Sequence, residues 1–281
     1  VRPMLHFGKY IVGFEFINYF ARNLDNILIG KIWGAKSLGL YSRAYSIVLL
    51  PINSIRIPLN NVALPALSRL RGNPDVFRKY YIKLILMLSF LSMPLMMFFF
   101  ISSYEVISIV FGSKWLNMEN IFKILVVAGF IQAISGTRGV VLLAYGNSKR
   151  YFLLGIITSV LTVISFFVGI QWGALGVALA YTTVSYLSLP FCFSFAFREL
   201  PVSFRDLLKG SWRNIVSSVF GGSITIFIFN VIIIENIYLR LLVKAVVFVL
   251  SFITINFSLP GGKLQLVTIF SKFAEIFQVK K

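Results

Sequence analysis

Charge is scarce in this sequence, and negative charge is scarcest. Only 13% of the 281 residues are charged, which is about half the share found in soluble domains. Nine acidic residues stand against 27 Lys and Arg, so the formal net charge is +18. In a soluble protein that surplus would suggest nucleic acid. A hydrophobic content of 58% and a mean hydropathy of +0.87 instead indicate a membrane protein.

Other residue types and motifs are rare or missing, and these absences exclude several classes of function. The chain has a single cysteine, Cys192, so it cannot form an internal disulfide. Cysteine content therefore does not indicate whether the compartment is oxidising or reducing. The sequence has one histidine, no Asp-x-Asp and no Gly-rich phosphate loop, so we predict neither a metal nor a cofactor and favour a protein that is not an enzyme. No N-terminal targeting segment is visible, and because the first residue is Val1 we expect a fragment whose beginning is missing.

Long apolar runs are abundant. A membrane-spanning helix needs about 20 largely apolar residues, and eight stretches qualify. They are residues 10–30, 41–66, 84–103, 120–145, 151–170, 174–197, 214–234 and 238–257. The sequence therefore predicts an all-α, polytopic transmembrane helix bundle of about eight spans.

The basic residues alternate between the two sides of these spans. Seventeen fall in one set of loops and ends and seven in the other, while Arg22, Arg56 and Arg138 lie within spans. Because positive charge accumulates on the cytoplasmic side, we predict that both termini are cytoplasmic. The same bias accounts for most of the net charge without nucleic acid, and it would hold the basic loops against anionic membrane lipids.

The first span carries an unusual polar stripe. At about 100° per residue, Glu15, Asn18, Arg22 and Asp25 fall within an arc of roughly 80° on a helix. A charged residue at the centre of a membrane helix opposes insertion into the membrane by about 2.5–3.5 kcal/mol, whereas an apolar residue favours insertion by only about 0.3–0.6 kcal/mol. The stripe must therefore face other helices or a water-filled cavity.

Two further spans are polar as well. The second holds Arg56 and three prolines, Pro51, Pro58 and Pro65, which predict a kinked or broken helix. The fourth holds Arg138, which lies near enough to the cytoplasmic end to extend to the interface instead. Arg22 and Asp25 have two interpretations, an ion pair between positions i and i+3 or a cavity for an anionic substrate or a coupling ion. The candidate cavity residues are Glu15, Asn18, Arg22, Asp25, Arg56 and Arg138.

The last four spans contain fewer polar residues, so polar groups concentrate in the first half of the chain. Five aromatic residues lie near predicted membrane interfaces and are explained by an aromatic belt. They are Trp33, Tyr41, Tyr45, Trp115 and Trp172.

The stretch NYFARNLDNILIGKIWGAKSLGLYSRAYSI at 18–47, followed by ALPALSRL at 63–70, resembles a known family. It is similar to the start of the second half of bacterial polysaccharide transporters, the O-antigen and exopolysaccharide flippases of the superfamily that includes MATE exporters and the lipid II flippase. GSKW at 112–115 and NSKR at 147–150 also resemble the family's loop pattern. The likeness covers about residues 1–200.

The resemblance implies an architecture and a substrate. Residues 1–200 would form the second six-span lobe, and residues 201–281 two additional C-terminal spans with a basic cytoplasmic tail. The N-terminal lobe is absent from this sequence and would be a partner. The implied activity is alternating-access transport, across the bacterial inner membrane, of an oligosaccharide carried on undecaprenyl pyrophosphate for O-antigen, lipopolysaccharide or exopolysaccharide synthesis, with Asp25 as the candidate for ion coupling.

Two other functions compete. A MATE-type drug exporter would need an acidic site for cationic drugs, whereas the spans here carry a surplus of arginine. An integral membrane polysaccharide polymerase or glycosyltransferase would need a catalytic carboxylate pair or a metal site in a loop, and the predicted outside loops are too short to hold one.

Overall fold

A computed structural model describes residues 2–267, with side chains from Gly8 onward. Regular structure over this range is helical, which confirms the predicted fold class. The α-helices are α1 (Arg2–Arg69), α2 (Pro74–Ile101), α3 (Ser103–Val110), α4 (Glu119–Ser135), α5 (Thr137–Ala144), α6 (Ser148–Gly169), α7 (Gly173–Phe197), α8 (Phe204–Val231) and α9 (Ile237–Ser258). Residues 262–267 are also helical. The predicted basic tail, with Lys272, Lys280 and Lys281, lies outside the described residues.

Helix α1 consists of two arms. A straight helix of its 68 residues would be about 100 Å long, more than three times the hydrocarbon thickness of a bilayer. The chain turns at Gly34, where φ is 81° and ψ is 175°, a conformation open to glycine because it lacks Cβ. The indole of Trp33 donates a 2.8 Å hydrogen bond to the Ile170 carbonyl and fixes this turn beside the start of α7. Residues 2–33 and 35–69 thus correspond to the first two predicted spans.

The count of spans agrees with the sequence once such turns are recognised. Among residues 2–267, six helical segments are long and apolar enough to cross a membrane. Two of them, Gly8–Arg69 and Ser148–Phe197, each contain two predicted spans. Glycines with positive φ, Gly34 at 81° and Gly173 at 72°, divide these pairs. The protein is therefore a multi-pass helical membrane bundle of about eight spans, as predicted.

The position of the broken helix differs from the prediction. The second arm of α1 stays helical through Pro51, Pro58 and Pro65, so of the two predicted outcomes, a kinked or a broken helix, the broken one is wrong. The three prolines are seven residues apart and share one face of the helix, where each removes one backbone hydrogen bond without interrupting the turn that follows. A local interruption of the helical hydrogen bonding falls instead in the fourth span, between α4 and α5 at Gly136, whose φ of −65° and ψ of −20° remain helical.

Two groups of buried apolar side chains hold the bundle together. One includes Phe77, Leu88 and Phe193, and the other includes Ile29 and Phe122. Because lipid is as apolar as these side chains, close packing rather than exclusion of water stabilises such contacts. Helix α8 packs along α2 and α9 packs along α8, so this pair lies on the α2 side of the bundle.

Candidate functional site

A polar cavity of about 450 Å³ lies between α1, α4, α5, α6 and α7. All six residues that the sequence analysis nominates line it: Glu15, Asn18, Arg22, Asp25, Arg56 and Arg138. They come from three different spans, and the turn at Gly34 lets both arms of α1 contribute to one wall. The structure thus brings these side chains together, while their role in binding or ion coupling remains a prediction.

Asp25 is held by hydrogen bonds rather than by a cation. Its side chain is only 2% exposed. The Tyr41 hydroxyl donates a 2.9 Å hydrogen bond to one carboxylate oxygen, and the Asn26 backbone N–H donates a 2.7 Å hydrogen bond to the other. Tyr41 belongs to the opposite arm of α1, so this contact joins the two arms. Within the described residues Arg22 and Asp25 form no ion pair, and that interpretation of the sequence is wrong.

The arginines of the second and fourth spans meet at the interruption between α4 and α5. Arg56 donates a 2.9 Å hydrogen bond to the Asn53 side chain and lies against Gly136, where an added Cβ would be 3.1 Å from its Cδ. Arg138 donates a 2.9 Å hydrogen bond to the Ser135 carbonyl, and its guanidinium lies 5.3 Å from the centre of the Phe193 ring. Arg138 therefore faces the cavity and does not extend to the membrane interface.

The charged side chains of the cavity wall are three arginines and two acids, a surplus of one positive charge. No arginine of the three is in an ion pair with an acid of the described chain. Guanidinium groups held at membrane depth without an acidic partner are costly, and they are well shaped to bind carboxylate or phosphate oxygens in pairs. The wall can therefore accept an anionic group.

Sequence reasoning assigned two tyrosines wrongly. It placed Tyr41 and Tyr45 in an aromatic belt, but both line the cavity, and Tyr41 is 1% exposed. Helical spacing contained the missing signal, since positions 41, 45, 48 and 52 fall on one face and Val48 and Ile52 are buried. Trp172, at 66% exposure, does stand on the surface near the turn before α7.

A second polar cluster escaped the sequence analysis. Asn214 in α8 donates a 2.7 Å hydrogen bond to the Ser89 hydroxyl. The Asn214 side-chain oxygen, Oδ1, accepts hydrogen bonds from the side-chain amides of Gln265 at 2.8 Å and Asn256 at 3.1 Å. These residues lie on separate helical segments, so spacing along the chain gave no sign that they meet. Their mutual pairing is typical of helix packing in membranes.

The fold defines a class, that of multi-helix membrane proteins with a polar cavity between their helices. Over 86% of this chain and 50% of the other, the fold matches the lipid II flippase MurJ in an inward closed conformation, with a TM-score of 0.69 and 17% sequence identity. A MOP superfamily transporter from Pyrococcus furiosus matches with a TM-score of 0.54 and 18% identity, over 92% of this chain and 65% of that one.

Sequence comparison points to a narrower group. The family described as polysaccharide biosynthesis protein matches residues 1–120. The teichuronic acid biosynthesis protein TuaB of Bacillus subtilis is 31% identical over 66% of this chain and 38% of its own length. The lipopolysaccharide biosynthesis protein WzxC of Escherichia coli is 24% identical over 75% of this chain and 44% of its own. The chain thus spans less than half the length of these two relatives. The predicted resemblance to the polysaccharide biosynthesis family is confirmed.

Proposed function

We propose that this chain forms one lobe of a flippase in the bacterial cytoplasmic membrane. The transported molecule would be an oligosaccharide on undecaprenyl pyrophosphate, destined for O-antigen or exopolysaccharide. Residues 1–200 would supply six spans of the lobe and residues 201–281 two further spans and the tail, with both termini in the cytoplasm. A second lobe would close the open side of the cavity, and the two would alternate between inward-open and outward-open arrangements.

The single observation that carries this proposal is the set of unpaired cavity arginines. Arg22, Arg56 and Arg138 line the cavity without an acidic partner in the described chain. Pyrophosphate offers several oxygens to guanidinium groups, and binding it would neutralise charge that is otherwise costly at this depth. The same surplus of positive charge would repel a cationic drug, which argues against a drug exporter for cations.

Asp25 is the residue that we propose for ion coupling. It is buried beside the cavity and forms no direct ion pair with a cation of the described chain. A carboxylate in this setting can take up a proton or a monovalent cation. Because its hydrogen bond to Tyr41 joins the two arms of α1, occupation of Asp25 by an ion would act directly on the geometry of the wall.

The test is made in the native gene of the producing bacterium. Replacing Arg22 and Arg56 together by Gln should lower surface polysaccharide by roughly tenfold or more, since each charge-assisted hydrogen bond contributes about 1.5–3 kcal/mol. The matched control is Arg43→Gln, which changes an exposed arginine that lies in the same α1 arm as Arg56 but outside the cavity wall. Unchanged polysaccharide in the double variant, at normal protein levels, would contradict the cavity assignment.

The proposed orientation has its own test. Because Cys192 is the only cysteine of the chain and is buried, single cysteines introduced elsewhere report cleanly on exposure to a membrane-impermeant maleimide. We expect Lys36→Cys to react in intact cells and Arg71→Cys to react only after the membrane is opened. The reverse pattern would show that the termini face outward.

A further inference from the structure

Three buried oxygen atoms of the cavity wall lack hydrogen-bond partners in the described chain. They are Asn60 Oδ1, Gln132 Oε1 and Ser135 Oγ, each with less than 1 Å² of accessible surface. A buried polar atom left unpaired costs about 1–3 kcal/mol, so three in one place call for an explanation. Asn60 lies one helical turn from Arg56, and Gln132 and Ser135 lie one turn apart at the end of α4.

The chemistry of the two amide oxygens, Asn60 Oδ1 and Gln132 Oε1, excludes phosphate as their partner. Amide oxygens of Asn and Gln only accept hydrogen bonds, and a serine hydroxyl can accept or donate. An ionised pyrophosphate offers acceptors alone, and a polyprenyl tail offers neither donors nor acceptors. Donors must come from hydroxyl or amide groups, which are the groups that a sugar presents in number.

Their position fixes which sugar they would meet. Ser135 directly precedes the Gly136 interruption, and its carbonyl accepts the hydrogen bond from Arg138. Arg56 lies on the other side of that interruption, with its Nη1 atom 3.2 Å from where a Cβ on Gly136 would be. If the arginines hold the pyrophosphate, the unit within reach of the three oxygens is the sugar attached to it.

We propose that Asn60, Gln132 and Ser135 form a neutral subsite that binds the hydroxyl groups of the sugar directly linked to the pyrophosphate. This subsite rests on the proposed function and adds to it the part of the glycan that the cavity recognises. The cavity then has two parts. The cationic part binds the pyrophosphate whatever the glycan, and the neutral part distinguishes one first sugar from another.

The experiment uses the full chain, purified and reconstituted in lipid nanodiscs. The probes are a short polyprenyl pyrophosphate and the same lipid carrying glucose, galactose or N-acetylglucosamine on its terminal phosphate. The bare lipid carries more negative charge than the glycosylated ones, so each variant is compared with the unmodified chain for one lipid at a time. Thermal unfolding of each variant checks that it is folded.

Gln132→Met and Ser135→Ala should each weaken binding of at least one sugar-bearing lipid by about fivefold, the equivalent of one hydrogen bond, and leave the bare lipid unaffected. Ser218→Ala is the matched control, because Ser218 is also buried with an unpaired hydroxyl but lies outside the cavity. Arg56→Gln should weaken binding of all four lipids, whether or not they carry a sugar.

Two failures are distinguishable. Equal effects of Gln132→Met on bare and sugar-bearing lipids, or no effect of Gln132→Met and Ser135→Ala on any lipid, would overturn the sugar subsite. Unchanged binding of every lipid to the Arg56→Gln variant would instead overturn the pyrophosphate site on which the subsite rests.

Discussion

Polar groups are buried on two sides of this bundle, and the two sides differ in how those groups are paired. On the α2, α8 and α9 side, Asn214 bonds with Ser89, Asn256 and Gln265. Near the start of α3, the Glu105 carboxylate lies 2.7 Å from both the Lys244 and Arg240 side chains. On the cavity side, between α1 and α4–α7, arginines and amide oxygens remain without such partners.

This difference separates packing from binding. A polar residue inside the membrane is costly wherever it lies, and helices can offset the cost by pairing such residues with each other. On the α8 side Asn214 and its partners do so, and the result is a fixed contact between helices, while the Ser217 and Ser218 hydroxyls of α8 stay unpaired in the described chain. On the cavity side the arginines and amide oxygens are not paired in this way within the described chain, so the free-energy cost of burying them is not offset. Those groups are therefore available to a ligand. The comparison predicts that equivalent substitutions will affect stability on one side and binding on the other.

The largest effect is expected at Glu105. This residue is 2% exposed and lies between two cations of α9, Lys244 and Arg240. Glu105→Gln would leave both cations without a counter-charge, and breaking a buried ion pair in this way costs about 3–5 kcal/mol. We expect a matching loss in the free energy of unfolding, measured in mixed detergent micelles.

Glu15→Gln is the control from the cavity side. Glu15 is exposed in the cavity wall and forms no ion pair with any described residue. Its substitution should leave the free energy of unfolding almost unchanged. Equal losses for the Glu105 and Glu15 variants would show that pairing does not distinguish the two sides.

The next effect is expected at Asn214. Asn214→Leu would remove the shared partner of the Gln265 and Asn256 amides, and each group left unpaired costs about 1–3 kcal/mol. The unfolding free energy should fall accordingly. Because the cluster lies away from the cavity, polyprenyl pyrophosphate should bind the folded variant as it binds the unmodified chain. Weaker lipid binding by folded protein would place the cluster in the binding machinery.

Much of this fold was predictable, because a membrane imposes regular lengths on apolar runs. The candidate residues from Glu15 to Asp25 were predictable as a set, since charge is rare enough in these spans to stand out. Their partners were not. Tyr41 contacts Asp25 only because the chain turns at Gly34, and Asn214 meets residues more than 40 positions away on either side. Contacts between helices depend on packing that periodicity along one helix does not contain.

A smaller effect is expected where the two arms of α1 meet. Tyr41→Phe removes the hydroxyl that donates to the Asp25 carboxylate, and a hydrogen bond to a charged group contributes about 1.5–3 kcal/mol. Tyr186→Phe is the matched control, since its hydroxyl donates at 2.9 Å to the neutral carbonyl of Val127. The Tyr41 variant should lose more unfolding free energy than the Tyr186 variant, and equal losses would argue against an ionised Asp25.

The smallest effect is expected at Asn60, and it is the sharpest comparison of the two sides. Asn60→Leu and Asn214→Leu make the same chemical change in two membrane helices, but the Asn60 side-chain oxygen has no partner in the described chain whereas the Asn214 oxygen has two. Removing an unpaired buried oxygen relieves its desolvation cost. Asn60→Leu should therefore leave the unfolding free energy within about 0.5 kcal/mol of the original or raise it. A loss as large as that of Asn214→Leu would mean that Asn60 is part of the packing, and the neutral subsite would lose one of its three members.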